Sequence, residues 1–520
     1  MGLLQRAGLA EASCLLALAD SDLDNLRVAV TAHEAAPHVP VVLRAFDPAL
    51  ADQLEQGLNI RRAYSVSALA APAFIAAACG DEVLETLRLG DGEVPICRLT
   101  VRAGSPLAGQ TPSEVETRLR CSVVARLRSG GWQPVGGEDG TALAVGDSVL
   151  VGGPLSSVLR ALCLNVGWLP ARRRSAHPGF SKHPGSQARP SPQRGEQSLP
   201  ARRPTRLPAV AAALLAVIVV AVAVFAHALH LHWVDAVYFV ITTATTTGYG
   251  DISLKDSPDW LKMFGCVVML SGGALLGILF SYLAALATAE RLEETMGRRA
   301  GRMRGHIVLA GLGNLGYRIT RLLSELGLSV VALELTPDSR FSDAVRPRVP
   351  VLTGDARLRE NLDRASLRQA VALIACTDDD MANIQACLHA RRMNPTAATV
   401  ARIFDDALAD RLSNAFTIGR ALSASQCAVS AFVGAATDER ALRPLQLGAL
   451  SLIACRCTVG PDLTAETIAD WRLRGVCVLA FRTSAGAVQP PSELPALLSG
   501  GDELILCGPA AVILELTSLT

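Results

Sequence analysis

Residues 242–251 read TTATTTGYGD, in which five threonines, interrupted only by Ala244, lead into two glycines on either side of a tyrosine. Two long apolar runs flank this segment, at 209–226 and 263–289. The shorter run has about 18 uncharged residues, which at about 1.5 Å per residue is long enough to cross a lipid bilayer. The flanks therefore predict two membrane-spanning helices. The alternative is a pair of buried helices in a large soluble domain.

Arginines border the two apolar runs on their outer sides, at 202, 203 and 206 before the first run and at 291, 298, 299, 302 and 304 after the second. Because basic residues favour the cytoplasmic side of a membrane, both ends of this module are expected to face the cytoplasm. The chain segments on either side, with both termini, are then expected to be cytoplasmic. The first residues show no apolar core typical of a signal peptide.

Residues 233–260, between the two runs, are too short and too polar for a third crossing. Apolar residues at helical spacing predict a short helix that buries the face of Val234, Val237, Tyr238 and Ile241. TTTGYG must then return as irregular backbone, which a membrane tolerates only within protein or along a water-filled path. This arrangement indicates a pore.

The glycines and threonines of this loop suit the replacement of an ion's hydration shell by rings of backbone carbonyls. Gly248 and Gly250 permit the left-handed backbone that such a loop needs. The Thr246 hydroxyl would add an innermost ring of oxygens, and Tyr249 would point away from the pore and hold the loop against the short helix. One loop supplies a quarter of each ring, so we expect a homotetramer.

Residues 246–251 resemble the TVGYGD selectivity filter of potassium channels, and 243–251 matches their T-A-T-T-x-G-Y-G-D run. The order of span, short helix, filter and span is that of the two-span channels. Thr247 departs from the Val or Ile of most relatives, but the carbonyl rather than the side chain faces the ion, so potassium selectivity is expected. The resemblance implies a filter made of Thr246, Thr247, Gly248, Tyr249, Gly250 and Asp251.

Two further features of the pore region have alternative interpretations. Gly272 and Gly273 in the second span are candidate gating hinges, or they allow close packing between helices. Histidines at 227, 230 and 232 would give a proton- or metal-sensitive outer mouth, or they are ordinary interfacial side chains.

The segments outside the pore region are two copies of one unit. RAFDPALADQL at 44–54 recurs as RIFDDALADRL at 402–412, an offset of 358 residues. GDSVLVGGP at 146–154 recurs as GDELILCGP at 501–509. Such self-similarity predicts that both copies fold alike.

The second copy begins with a nucleotide-binding pattern. HIVLAGLGNLG at 306–316 joins a short apolar strand to a GxGxxG motif, and Glu334 ends the next strand. In this context the glycines let a pyrophosphate approach a helix N-terminus, and the carboxylate can bind ribose hydroxyls. Asp355 and Thr377 end the following two strands and are expected at the same crevice.

GLGNLG, Glu334, GDA at 354–356 and TDDDMAN at 377–383 resemble the RCK (TrkA-N type) domains that regulate potassium channels and transporters. The carboxylate at 334 would repel a 2′-phosphate, which favours NAD(H) or an adenine nucleotide over NADP. An empty Rossmann site is the alternative. The resemblance implies nucleotide contacts at Gly311, Gly313, Asn314, Leu315, Gly316, Glu334, Asp355 and Thr377. Asp378, Asp379 and Asp380 would form a divalent-cation site or, more simply, a solvated loop.

The predicted fold is multidomain, with an all-α two-span pore module and two α/β Rossmann-like RCK copies, each followed by a small α+β C-terminal subdomain. The first copy has no GxGxxG half, which leaves a sheet edge open. A start codon assigned too late or a half-domain completed by a neighbour would account for this. The predicted boundaries are 1–80 and 81–170 for the first copy, 171–206 for a disordered basic linker, 207–290 for the pore, and 304–440 and 441–520 for the second copy.

The charge balance, with 49 Lys and Arg against 48 Asp and Glu, argues against a nucleic-acid partner. The thirteen cysteines are scattered and are expected to be reduced, with no bound metal. We expect a potassium channel of the cell membrane, a ring-forming homotetramer in lipid, gated by NAD(H), ADP or ATP at cytoplasmic RCK domains and without enzyme activity. The alternatives are a membrane-anchored NAD-dependent oxidoreductase and a non-conducting regulatory subunit that senses nucleotide or potassium.

Overall fold

The computed structural model of the chain forms two compact units, one of Met1–Ser186 with Gly297–Thr520 and one of Gln187–Met296. The predicted linker at 171–206 and the filter residue Thr246 lie outside the residues that the structure describes. Those residues are 2–46, 60–90, 92–136, 140–169, 207–245, 247–295, 300–337, 339–415, 418–437, 442–460, 465–483, 486–495 and 498–518.

The first copy forms a three-stranded parallel sheet followed by a five-stranded antiparallel sheet. The parallel strands are β1 (Leu15–Ala17), β2 (Val41–Arg44) and β3 (Ile60–Tyr64), adjacent in that order. The antiparallel strands are β4 (Glu82–Leu89), β5 (Gly92–Thr100), β6 (Ser122–Arg128), β7 (Gly131–Pro134) and β8 (Ser148–Gly152), in the spatial order β4, β5, β8, β6, β7. The helices are Gly2–Arg6, Asp22–Ala35, Val66–Ala78, Pro112–Leu119 and Leu155–Asn165, with a 3₁₀ turn at Leu9–Glu11.

The second copy has a six-stranded parallel sheet followed by a four-stranded antiparallel sheet. The parallel strands are β9 (Ile307–Ala310), β10 (Val330–Glu334), β11 (Val351–Thr353), β12 (Ala372–Ala375), β13 (Ala398–Arg402) and β14 (Arg420–Leu422). The antiparallel strands are β15 (Arg443–Leu447), β16 (Leu450–Thr458), β17 (Cys477–Arg482) and β18 (Glu503–Pro509), in the spatial order β15, β16, β18, β17. The helices are Asn314–Glu325, Ser342–Val345, Arg359–Arg364, Asp380–Met393, Asp406–Ala415, Gln426–Thr437, Ala465–Leu473 and Ala510–Ser518, with 3₁₀ turns at Ala300–Arg302, Leu367–Gln369 and Pro491–Glu493.

The parallel sheet of the second copy has the strand order β11, β10, β9, β12, β13, β14. This is the doubly wound order of a Rossmann fold, in which the chain reverses direction across the sheet between β9 and β12. Strand β9 is buried at every position, as expected for a parallel strand covered by helices on both faces. The predicted Rossmann fold is confirmed.

The two copies share their internal hydrogen bonds as well as their sequence. Asn25 is 1% exposed and its side-chain amide donates to Arg44 O at 2.9 Å. Asn383, which lies 358 positions later, is 0% exposed and donates to Arg402 O at the same distance. The first copy therefore reproduces strands β12 to β14 and their connections.

The two copies exchange helices. Val66–Ala78 of the first copy packs into the core of the second, where Phe74 and Ile75 join Leu315 and Ile319 in one buried cluster. In return, Gln426–Thr437 of the second copy packs on the three-stranded sheet of the first, where Phe432, Ala428 and Ala435 cluster with Val42, Tyr64 and Leu69. The exchange covers one face of the half-sheet with helix.

The two antiparallel sheets also pack against each other. Leu87, Leu89 and Ile96 of the first sheet share a buried cluster with Leu479 and Ile505 of the second. Hydrogen bonds cross between the copies as well, including one from the Ser122 hydroxyl to Val478 O at 2.7 Å. Burial of apolar side chains from both sheets ties the copies into one compact unit.

The second unit consists of the helices Leu207–Ala228, Trp233–Ala244 and Asp259–Thr295, which pack around Phe225. The buried ring of Phe225 meets Phe239 edge to face, with centroids 5.0 Å apart. Its centroid lies 5.4 Å from that of Phe264 on the third helix. One aromatic side chain therefore contacts both of the other helices.

The predicted buried face of the short helix is wrong. Val234, Tyr238 and Ile241 are 48%, 41% and 46% exposed. The buried side includes Phe239, because this ring is the one that meets Phe225. The helical spacing predicted the helix, but the apolar face that packs within this unit is the one that carries Phe239 and Val240.

Apolar side chains are exposed along the long helices of this unit, among them Leu215, Val219, Met263 and Leu270. By length and composition, Asp259–Ser281 is long and apolar enough to cross a membrane. The apolar stretch Ala212–Ala228 is shorter, at 17 residues. The two-span arrangement stays a prediction.

Candidate functional site

The short helix Trp233–Ala244 leads directly into the threonine and glycine loop. His232 caps its start by accepting a hydrogen bond from Val234 N at 3.4 Å. After its end, the backbone N–H groups of Thr247 and Gly248 both donate to Thr242 O, at 2.9 and 3.1 Å. These bonds turn the chain back sharply at the C-terminal end of the helix.

The two glycines of the loop have left-handed backbone, with φ of 52° at Gly248 and 80° at Gly250. A Cβ at either glycine would meet no atom within 4 Å. The requirement for glycine here is therefore conformational and not steric, since other residues enter this backbone region only at an energetic cost. The backbone has the alternation that the sequence predicted for a carbonyl-lined loop.

Tyr249 stacks on Tyr238 of the short helix, with ring centroids 6.4 Å apart and planes 5° apart. The Tyr238 hydroxyl also lies near the Asp251 carboxylate. Thr245 Oγ1 lies 3.0 Å from Thr247 Oγ1 and 2.8 Å from Ile241 O. The loop therefore contacts the helix through Thr247, before the two glycines, and through Tyr249, between them. The role of Tyr249 in holding the loop stays a prediction.

Gly272 lies against the end of the short helix. A Cβ at this position would approach Ala244 Cβ to 2.9 Å and Ala244 Cα to 3.1 Å. This contact favours the close-packing interpretation for Gly272. The hinge roles of Gly272 and Gly273 stay predictions.

The glycine motif of the second copy forms a tight turn between β9 and the helix Asn314–Glu325. Gly311 has φ of 95°, and a Cβ there would lie 2.9 Å from Thr377 N. A Cβ on Gly316 would collide with the carbonyl oxygen of Gly311, whereas one on Gly313 would meet no atom within 4 Å. Two of the glycines therefore serve the packing of the turn, and Gly313, which is exposed, leaves open the approach to the helix N-terminus.

Glu334 lies beside this turn, at the carboxyl end of β10. Its Oε2 accepts a hydrogen bond from Leu312 N at 2.6 Å, and its Oε1 accepts from Thr336 N and Oγ1 at 3.3 Å. The carboxylate is held at the crevice by backbone on both sides. Leu315 is buried in the core, and the neighbouring Asn314 is half-buried at the first turn of the helix.

Asp355 and Thr377 lie at the ends of the neighbouring strands, as predicted. The Thr377 hydroxyl donates to Asn383 Oδ1 at 2.8 Å. Asp355 forms an ion pair with Arg357 at 2.7 Å, and hydrogen bonding to this guanidinium lowers the pKa of Asp355. Arg357 also lies 3.9 Å from Asp379.

Arg357 is a candidate contact that the sequence analysis missed. It directly follows the GDA segment, so a cation next to this motif was the available signal. Its side chain is 46% exposed and its guanidinium is positioned by Asp355. A guanidinium of this kind binds phosphate oxygens through paired hydrogen bonds.

The acidic run at 378–380 uses two of its carboxylates to hold backbone. Asp379 caps the helix Asp380–Met393 by accepting from Ala382 N at 3.1 Å. Asp380 accepts from Phe404 N at 2.9 Å, and in the first copy Asp22 accepts from Phe46 N in the same way at 2.8 Å. Within the described part of the chain, no group of three side chains is arranged to hold a metal ion.

Comparison with known proteins agrees with both parts of this architecture. Residues 1–66 and 307–423 match the family described as the TrkA-N domain, and residues 212–289 match the family described as ion channel. The chain is also 27% identical over 174 residues to the probable potassium channel protein 2 of Methanocaldococcus jannaschii, covering 32% of this chain and 50% of that one. The chain is a relative of potassium channels that carries TrkA-N domains.

The chain is also 25% identical over 181 residues to the putative potassium channel protein YugO of Bacillus subtilis, covering 33% of this chain and 54% of that one. It spans only a third to about a half of the length of such curated relatives, from 33% for an uncharacterized protein of Methanothermus fervidus to 54% for YugO. Among solved structures, the GsuK channel is similar at 17% identity with a TM-score of 0.45, covering 98% of this chain and 67% of that one.

Proposed function

We propose that the chain is the subunit of a potassium-selective channel whose opening depends on a nucleotide bound to its Rossmann domain. The loop at 247–251 carries this proposal. Its two left-handed glycines enclose Tyr249, whose ring is stacked on the short helix, and the loop belongs to the segment that matches the ion channel family. Carbonyl rings built from such a loop replace the hydration shell of the ion.

We place the selectivity filter at 246–251 and propose a homotetramer around a central axis, because one loop supplies one quarter of each carbonyl ring. The exposed apolar side chains on the helices Leu207–Ala228 and Asp259–Thr295 support burial of these surfaces in lipid or against neighbouring subunits. Both helices would then span the membrane. The arginines outside them favour cytoplasmic soluble domains.

The regulatory ligand is proposed to be NAD(H) or an adenine nucleotide. Its pyrophosphate would lie at Gly313 and the N-terminus of the helix Asn314–Glu325, and a ribose would contact Glu334. A negative charge at Glu334 disfavours the 2′-phosphate of NADP. Arg357 would contribute a phosphate contact from the neighbouring strand end.

Ligand binding acts on the pore only if it favours one conformation of the ring of soluble domains. In the sequence a short connector joins the last helix of the pore, Asp259–Thr295, to strand β9 of the Rossmann sheet. A movement of the ring would therefore pull directly on this helix.

The proposal is tested by potassium flux into liposomes that contain the purified full chain, scanned over NAD, NADH, ATP and ADP. We expect flux of potassium over sodium that changes with at least one nucleotide. Gly250→Ala should abolish the flux, since Cβ strains a backbone with φ of 80°. Absence of potassium flux under all conditions would refute the channel, and nucleotide-dependent reduction of a substrate would favour an oxidoreductase.

A further inference from the structure

A cavity of about 280 Å³ lies between the two copies and is lined by five arginines. The first copy provides three of them from strands β3 and β4, and the second copy provides two from β15 and β16. The arginines are Arg61, Arg62, Arg88, Arg443 and Arg456.

Arg443 is buried in the wall of this cavity. It is 9% exposed, and its Nε has no hydrogen-bond partner among the described residues, although Glu85 Oε1 lies 3.9 Å away. A Cβ on Gly434 would collide with the Arg443 guanidinium. Glycine within the helix Gln426–Thr437 costs about 1 kcal/mol relative to alanine, and here it makes room for a buried cation.

Backbone carbonyls hold two of the other arginines. Arg61 NH1 donates to Ala435 O at 3.3 Å, which already joins the two copies. Arg88 Nε donates to Gly90 O at 2.9 Å, and its NH1 donates to Ala63 O at 3.1 Å. Guanidinium groups fixed in this way lose little conformational entropy when an anion binds.

Like charges meet inside the cavity. Burial and the nearby charge of Arg62 lower the pKa of Arg456. Glu503 opposes this effect from 3.9 Å, but the same carboxylate also pairs with Arg482. The Glu503 carboxylate is therefore shared by two guanidinium groups, and a bound anion would add negative charge beside Arg62 and Arg456.

We propose that this cavity binds a diphosphate group, free or as part of a nucleotide, and so bridges the two copies. Guanidinium groups bind phosphate oxygens through paired hydrogen bonds, and several of them from different strands suit a ligand with two phosphates better than one with a single phosphate. None of the lining residues belongs to the glycine turn of the Rossmann crevice, so the two sites are separate.

The test is isothermal titration of the full chain in detergent with inorganic pyrophosphate, orthophosphate and ADP. Gly313→Asp places a carboxylate at the open position of the crevice and removes phosphate binding there. In this background we expect pyrophosphate and ADP to bind, with orthophosphate weaker by about tenfold or more. Arg62→Gln and Arg456→Gln should each reduce pyrophosphate affinity by about tenfold or more.

Arg27→Gln is the matched control, because this arginine is 70% exposed in the same copy and outside the cavity. It should leave the affinity unchanged. Near-UV circular dichroism establishes that each variant is folded. A loss of pyrophosphate binding then shows that the substituted arginine contributes to the site. The proposal is overturned if Gly313→Asp alone abolishes pyrophosphate binding, or if both cavity variants bind pyrophosphate as tightly as the control.

Discussion

Glu85 and Arg443 occupy equivalent positions of the two copies and form a buried ion pair with each other. ETLRLG at 85–90 aligns with RPLQLG at 443–448. Arg443 Nε lies 3.9 Å from Glu85 Oε1, and the side chains are 10% and 8% exposed. If a first copy paired with another first copy in this manner, two glutamates would meet. If a second copy paired with another second copy, two arginines would meet. The pair therefore favours association of unlike copies, since like charges repel strongly in a buried site.

Arg443→Met is expected to destabilise the soluble unit by about 3–5 kcal/mol, because Glu85 is left buried without its counterion. Adding Glu85→Gln should recover part of this loss, since the double variant buries no uncompensated charge and keeps an acceptor for the Ser430 hydroxyl, now 2.9 Å away. The apparent Tm of the full chain in detergent measures both effects. A double variant less stable than Arg443→Met would contradict the assignment. Arg27→Met, on the surface, is the control.

Asp81 should make stability depend on pH. It is 4% exposed, and burial raises its pKa from 3.8 to about 6. Because the folded state holds the proton more tightly than the unfolded chain, stability is lost as the pH rises through about 6 and is regained as the pH falls toward 4. At about 1.4 kcal/mol per pKa unit the effect is at most ~3 kcal/mol.

Asp81→Asn removes this titration and keeps an acceptor for Thr100 N, which donates to Asp81 Oδ1 at 3.2 Å. The variant is expected to be more stable than the unaltered chain at pH 7.5, with a difference that shrinks toward pH 5. Apparent Tm values recorded across this range measure it. The control is Asp24→Asn, at a side chain that is 56% exposed. Its apparent Tm should change with pH in the same way as that of the unaltered chain. If the apparent Tm of Asp81→Asn and that of the unaltered chain change with pH in the same way, the Asp81 carboxyl does not titrate in this pH range.

The sequence predicted the parts of the structure whose signals lie close together in the chain. The glycine turn at 311–316 follows from one strand and one helix, and the left-handed glycines of the loop follow from GYG itself. The internal repeat predicted that the first copy folds like the second, and the structure shows the same side-chain hydrogen bond at Asn25 and Asn383. The two glycine features could be predicted because a left-handed backbone conformation favours glycine over other residue types.

Features that depend on contacts between distant segments could not be predicted. The exchange of Val66–Ala78 for Gln426–Thr437 brings Phe74 together with Leu315, 241 positions away, and Tyr64 together with Phe432, 368 positions away. Nothing in the sequence of either helix identifies the surface on which it packs. The pairing of Glu85 with Arg443 is visible in the alignment of the copies only once it is known that these positions face each other. Arg357 was missed because an arginine after a strand is ordinarily a solvated side chain.

Glu334→Gln is expected to weaken binding of NAD and ADP to the crevice by about tenfold, equivalent to about 1.4 kcal/mol. The amide oxygen keeps the hydrogen bond from Leu312 N, now 2.6 Å, so the turn survives, but the charge that attracts the ribose hydroxyls is lost. The same change should narrow the preference for NAD over NADP. Isothermal titration measures both affinities. Glu325→Gln, at the far end of the helix Asn314–Glu325, should bind both nucleotides with unchanged affinity. Equal losses of affinity in the two variants would exclude Glu334 as the ribose contact.

Tyr238→Phe tests how the loop at 247–251 is held. The change keeps the ring that stacks on Tyr249 but removes the hydroxyl, which lies near the Asp251 carboxylate. We expect this hydroxyl to bond to Asp251 in the assembled filter. Because a single hydrogen bond contributes about 1 kcal/mol, the ratio of potassium to sodium flux in liposomes should then fall by about fivefold while potassium flux continues. Tyr238→Leu removes the stacking as well and should lower selectivity further. If Tyr238→Phe conducts with unchanged selectivity while Asp251→Asn does not, Asp251 acts on the filter independently of the short helix.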